Sequence, residues 1–274
     1  MMMRRWIKGL GLAALGMMGL GGAASAGTVY GVDNASRIIK VDTVTKTETV
    51  VATTGLGGSA NGLALDTNAN RLLFRSPDAS ALRAFDLTTN LLTTVATATP
   101  LPGSSASAAY YANAYWYVQN NTDDLVKVDL STPTATVTTF LDFDGSAASS
   151  YGFGDIVIST QGILYGSSSR GFFSLDVSGA TPGAFTLLNS RTPQLQLAML
   201  GDGSIIGQQH DGVNAGKWYN VSLTGDTTLI PNFQTAPLRD LASSAVPEPG
   251  SIAMMGLGGL GVLALARRKS RRAA

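Results

Sequence analysis

The chain has 274 residues, 14 % of them charged, with 32 glycines, no cysteine and a formal net charge of +1. Disulfides and cysteine-bound lipids or metals are excluded, so stability has to come from an apolar core. Charge is unevenly placed: between Gly27 and Val246, 11 basic residues meet 17 acidic ones, a balance of −6 that argues against a nucleic-acid or anionic-membrane surface.

The chain opens with MMMRRWIKGLGLAALGMMGLGGAASAG. Arg4, Arg5 and Lys8 form a positive start, an apolar run follows from Gly9 to Gly22, and Ala24-Ser25-Ala26 offers small residues at Ala24 and Ala26. That order is a secretory signal, expected as a short helix over 1–26 that signal peptidase removes after Ala26.

From Gly27 to Ser244 there is almost no helical periodicity. Short β-rich runs alternate with Gly, Asn, Asp, Ser and Thr clusters, and one phrase recurs as RIIKVDTVT, ALRAFDLTT, DLVKVDLST, GFFSLDVSG and KWYNVSLTG. Its equivalent positions Asp42, Asp86, Asp129, Asp176 and Ser222 are spaced by 44, 43, 47 and 46. A period near 45 with several strands per unit predicts propeller blades. NGLALD, RLLFRS, ALRAFDL and LLTTVAT supply four strands in blade order, and three later units repeat the scheme. The first unit opens at TVYGVD without an inner strand, and a spare strand, LRDLASS (Leu238–Ser244), remains at the end. The expectation is an all-β, five-bladed propeller of four-stranded blades whose C-terminal strand completes the first blade. Six blades, with one degenerate, and a β-sandwich are the alternatives. The repeats resemble exported bacterial propellers whose blades carry an LYGVD…RLLxFD pattern, a likeness over residues 27–244 that bears on architecture and not on activity.

The middle offers little catalytic machinery. Its one Glu, Glu48, falls in an outermost strand, and no Asp pair stands out. The repeated aspartates sit where side chains cap turns. His210, the only histidine, cannot build a multi-His metal site and is expected as a solvated loop residue. Asn61, Ser107, Asp155, Gln196 and Asp240 lie just before the predicted inner strands, polar in every blade. They define a polar ring at the channel mouth in which Asn61, Asp155 and Asp240 are candidate hard-cation ligands; hydrogen bonding of crowded strand starts is the plainer alternative. In YYANAYWYVQNN, Tyr110, Tyr115 and Trp116 are candidate sugar contacts, with packing of Tyr111, Tyr115 and Tyr117 between blades as the competing role. No cofactor is expected.

The tail is VPEPGSIAMMGLGGLGVLALARRKSRRAA. Ser251 to Ala266 are 16 uncharged residues, a helix of about 24 Å against a hydrocarbon core of about 30 Å, followed by Arg267, Arg268, Lys269, Arg271 and Arg272. Val246-Pro247-Glu248-Pro249, the short apolar stretch and the terminal basic cluster, in that order, resemble a PEP-CTERM sorting signal. That resemblance implies recognition by an exosortase, a membrane-embedded cysteine protease-transpeptidase of Gram-negative bacteria. It further implies removal of the tail and delivery to the cell surface or extracellular matrix, often beside exopolysaccharide production. The organisation expected is a signal over 1–26, a propeller over 27–244 and a sorting tail over 245–274. A non-enzymatic binding or structural propeller follows, with polysaccharide or a surface protein as partner. A secreted metal-assisted hydrolase and a permanently anchored periplasmic propeller are the alternatives.

Overall fold

The computed structural model describes residues 27–54, 60–75, 81–143 and 151–243. The predicted signal helix, the apolar tail helix and the basic cluster lie outside the described residues. Within them no helix is long and apolar enough to cross a membrane.

Twenty strands form five four-stranded antiparallel sheets. The first unit supplies β1 (Thr28–Val32), β2 (Arg37–Asp42) and β3 (Thr47–Thr53). The next supplies β4 (Asn61–Asp66), β5 (Arg71–Arg75), β6 (Leu82–Asp86) and β7 (Leu92–Val95). Two more follow as β8 (Ser105–Tyr111), β9 (Ala114–Gln119), β10 (Asp124–Asp129), β11 (Thr136–Asp142), then β12 (Phe153–Ile158), β13 (Ile163–Ser168), β14 (Gly171–Asp176), β15 (Thr186–Asn189). The fifth consists of β16 (Gln196–Met199), β17 (Ile205–Gln208), β18 (Lys217–Val221) and β19 (Thr227–Gln234). The last strand, β20 (Asp240–Ala242), pairs with β1, so the first sheet reads β20-β1-β2-β3. This is a five-bladed β-propeller closed by its C-terminal strand, and the closure covers the edge of β1 that would otherwise stay unpaired.

The inner strands are buried almost throughout, as NGLALD and FGDIVI are, whereas the outermost TETVVAT and TLLN are largely exposed. The core consists of five apolar clusters, one between each pair of neighbouring blades. Leu73 and Leu82 meet Tyr115, Tyr117 and Val126 between the second and third blades. Trp116 and Val118 meet Ile156 and Phe173 between the third and fourth. Across the closure, Trp218 and Phe233 stack on each other and pack with Val29, Val41 and Leu241. Middle strands thus have a neighbouring blade on both sides, which is why AYWYV in β9 is buried at every position.

The repeated aspartates set the outer turns. One carboxyl oxygen of Asp42 accepts the amides of Val44 and Thr45, Asp86 does the same for Thr88 and Thr89, and Asp129 and Asp176 accept from Ser131 and Ser178. In the fifth blade the hydroxyl of Ser222 replaces the carboxylate, accepting from Thr224 and Asp226. Lys46 and Asn90 complete such turns in the left-handed region, at φ of 58° each.

Candidate functional site

All inner strands begin at one face of the disc, here the entry face, and end at the other, the exit face. The polar ring lies toward the entry face. Its members fall inside the inner strands and share one register position: Asn61 opposite Arg75, Ser107 opposite Val118, Asp155 opposite Ser167, Gln196 opposite Gln208 and Asp240 opposite Val32. Register shifts occur beside the position in three blades, between Asn61 and Ala64, Ser105 and Ser107, and Phe153 and Asp155. A bulge re-aims a side chain, here toward the crowded axis. At Gly62 the chain takes φ +67°, and a Cβ there would come within 2.5 Å of the Tyr115 hydroxyl, which donates to the Gly62 carbonyl at 2.6 Å.

The structure brings Asp155 and Asp240 together, both fully buried. Asp155 accepts its neighbour Ile156 N–H at 2.7 Å, Leu197 N–H of the next blade at 3.1 Å and Leu241 N–H at 3.3 Å. Asp240 accepts Leu63 N–H at 2.6 Å and Leu241 N–H at 2.9 Å. Two carboxylates therefore tie four blades at the axis. Burial first, then the facing Asp240 charge, holds the Asp155 carboxyl well above the usual carboxylate range. Burial raises Asp240 as well, against the hydrogen bonds it accepts. Asn61 donates its amide to the Ser105 carbonyl of the next blade at 3.1 Å. The pair is sealed from solvent and committed to amide donors, so it does not present an acid and a base to a substrate.

A cavity of about 290 Å³ opens at the exit face, where the inner strands of the second, third and fourth blades end beside β20. Its polar lining includes Asn68, Tyr110, Tyr111, Asn113, Thr160 and Ser243. Asn68 donates to the Tyr110 hydroxyl at 3.1 Å and to Asn113 Oδ1 at 2.7 Å, and the Tyr110 hydroxyl donates to Asn113 Oδ1 at 3.1 Å. Asn68 and Asn113 come from the inner hairpin turns of two neighbouring blades, and Tyr110 from the end of β8. Among the described residues no carboxylate, amine, guanidinium or imidazole lines the cavity.

Of the expected sugar contacts, only Tyr110 reaches this cavity. Tyr115 is fully buried and Trp116 is 2 % exposed, edge-on to Phe140 with ring centroids 4.9 Å apart. Both are core residues, because β9 is sandwiched between blades. Tyr111, expected to pack between blades, does so and also lines the cavity; Asn68 and Asn113 have no signal beyond their place in inner hairpin turns, and Ser243 none beyond following the last strand. His210 is less solvated than expected, with Nδ1 2.8 Å from the Leu238 carbonyl and its side chain 23 % exposed. Glu48 lies on the outermost strand β3, where Oε2 accepts the Ala236 N–H at 3.2 Å. Among the described residues no group of three or more His, Cys, Asp and Glu side chains could hold a metal.

The described residues form a closed propeller with a polar cavity at one end of its axis. The C-terminal segment adds an address: residues 245–272 match the family described as the PEP-CTERM protein-sorting motif, which implies processing by an exosortase and sorting to the surface. No curated protein sequence matches the chain. Among solved structures, the crystal structure of a nidogen/laminin complex is similar, with a TM-score of 0.55, 12 % identity, and coverage of 80 % of this chain and 82 % of that one. A protein of unknown function from Bacteroides thetaiotaomicron VPI-5482 gives 0.53 at 13 % identity, covering 82 % and 62 %. An auxiliary nutrient binding protein from the same organism gives 0.51 at 11 %, covering 74 % and 53 %. At these identities the likeness is one of fold.

Proposed function

We propose that this protein is exported, cut from its C-terminal tail by an exosortase, and displayed at the cell surface or in the extracellular matrix as a non-enzymatic binding propeller. The ligand class is neutral carbohydrate, with exopolysaccharide as its source. The observation that carries the binding role is the exit-face cavity, lined by carboxamides, hydroxyls and tyrosines, with no acid or base among the described residues that line it. Carboxamide and hydroxyl groups exchange hydrogen bonds with sugar hydroxyls, and tyrosine rings suit sugar C–H faces. A neutral lining also lets an uncharged polyol enter without desolvating an ion.

A glycan array probed with the exported protein tests this. Binding to neutral glycans is expected, and Asn113→Ala weakens it about two- to tenfold, the loss of one or two hydrogen bonds, with a stability loss of about 1–2 kcal/mol because alanine is strained at the left-handed φ of 57°. Trp116→Ala is the stability control: it removes a buried ring and costs about 3–5 kcal/mol. Absence of glycan binding, parental binding by Asn113→Ala, or turnover of a lactone or glycoside panel contradicts the proposal.

A further inference from the structure

The axial ring holds buried oxygens that no donor among the described residues reaches. All five register-equivalent side chains carry oxygen: Asn61, Ser107, Asp155, Gln196 and Asp240. Three of those oxygens, Asn61 Oδ1, Ser107 Oγ and Gln196 Oε1, are buried with no hydrogen-bond partner among the described residues. Ser107 is fully buried and Gln196 is 8 % exposed. Being at the same register position as the two aspartates, they project to the same axis. A buried acceptor left without a donor costs about 1–3 kcal/mol, so three at one level, beside two carboxylates, call for an occupant.

We propose that this ring is a hard-cation site, taking one Ca²⁺ on oxygens of Asp155, Asp240, Asn61, Gln196 and Ser107, and that the ion locks the blades together at the entry end of the axis. One water supplies two protons and leaves acceptors unmatched; a divalent cation draws on all of them and offsets the carboxylate charge. Oxygen-only donors without His or Cys select against zinc and copper. Several protein oxygens with little room for water favour Ca²⁺ over Mg²⁺, which keeps most of its water and demands a tighter octahedron. Asp155, Asp240 and Ser107 are fully buried, so the ion is structural. This site is separate from the exit-face cavity and does not depend on a carbohydrate ligand there.

The test is metal analysis of the exported protein, followed by thermal unfolding after chelation with Ca²⁺ or Mg²⁺ restored. The expected result is one calcium per chain and a Tm raised by Ca²⁺ and not by equal Mg²⁺. Asp155→Asn and Asp240→Asn remove amide acceptors and risk misfolding, so Ser107→Ala and Gln196→Leu carry the mutational arm. Each weakens calcium affinity by at least about tenfold while leaving the Tm of the chelated protein at or above the parent's. An unchanged Tm at millimolar Ca²⁺, or calcium binding unaltered in both variants, overturns the proposal.

Discussion

Aspartate does two opposite jobs in this molecule, decided by where it sits. Asp42, Asp86, Asp129, Asp176 and Asp202 accept hydrogen bonds from their own turns near solvent, which holds their carboxyls below the usual range. Asp155 and Asp240 are buried against each other, and their carboxyls are raised. The signs follow from linkage. A raised carboxyl contributes stability that is complete below its unfolded value, near 4, and is lost as pH climbs through the folded value; a lowered one contributes above about 4 and is lost as pH falls. The chelated protein is therefore most stable in mildly acidic solution, and its Tm falls by a few degrees between about pH 5 and pH 8. Asp155→Asn, which removes one titrating partner, flattens that slope. A Tm that rises steadily over the same interval contradicts the assignment.

At the scale of the element, β20 carries more than its three residues suggest. It supplies Leu241 to the cluster between the fifth and first blades, Asp240 to the axis, and the ladder that covers β1. Ending the chain at Arg239 exposes the β1 edge and leaves Leu63 N–H without its carboxylate. Loss of cooperative unfolding, with aggregation, is expected from that truncation. Ending it at Ser243 keeps every such contact and leaves Tm unchanged. Equal stability of the two truncations, measured by thermal denaturation, refutes the closure role. This strand was legible in the sequence because the repeat left the first unit one strand short and the last unit one strand over. The orientation of YYANAYWYVQNN was not. A period of two separates core from solvent only when a sheet has one wet face, and Ala114–Val118 have a blade on either side. The cavity was hidden for a different reason: Asn68 and Asn113 are 45 residues apart and meet only when two blades are placed side by side.

For the whole molecule, both ends of the described chain lie on the cavity side. Antiparallel pairing of Tyr30 with Ala242 and Val32 with Asp240 puts the start of β1, at Val29, beside Ser243, which itself lines the cavity. From Ala242 to Ser251, where the apolar run begins, nine residues span at most about 30 Å. In the proposed sorting intermediate the exit face is thus held close to the membrane, and the entry face points away. The chain has no native cysteine, so single-cysteine labelling reads this cleanly. In cells unable to process the tail, Asn34→Cys, on an entry-face turn, reacts with a bulky maleimide-polymer, whereas Asn113→Cys reacts slowly until the protein is released. Equal labelling at both positions before release contradicts that orientation.

The central claim is that the tail is an address and not a permanent part of the displayed protein. Intact-mass measurement of the protein recovered from the surface tests it most directly. The account predicts a chain that begins after Ala26 and ends near Val246-Pro247-Glu248-Pro249, without the basic cluster. A steady-state species that still carries Arg271 and Arg272 would contradict it.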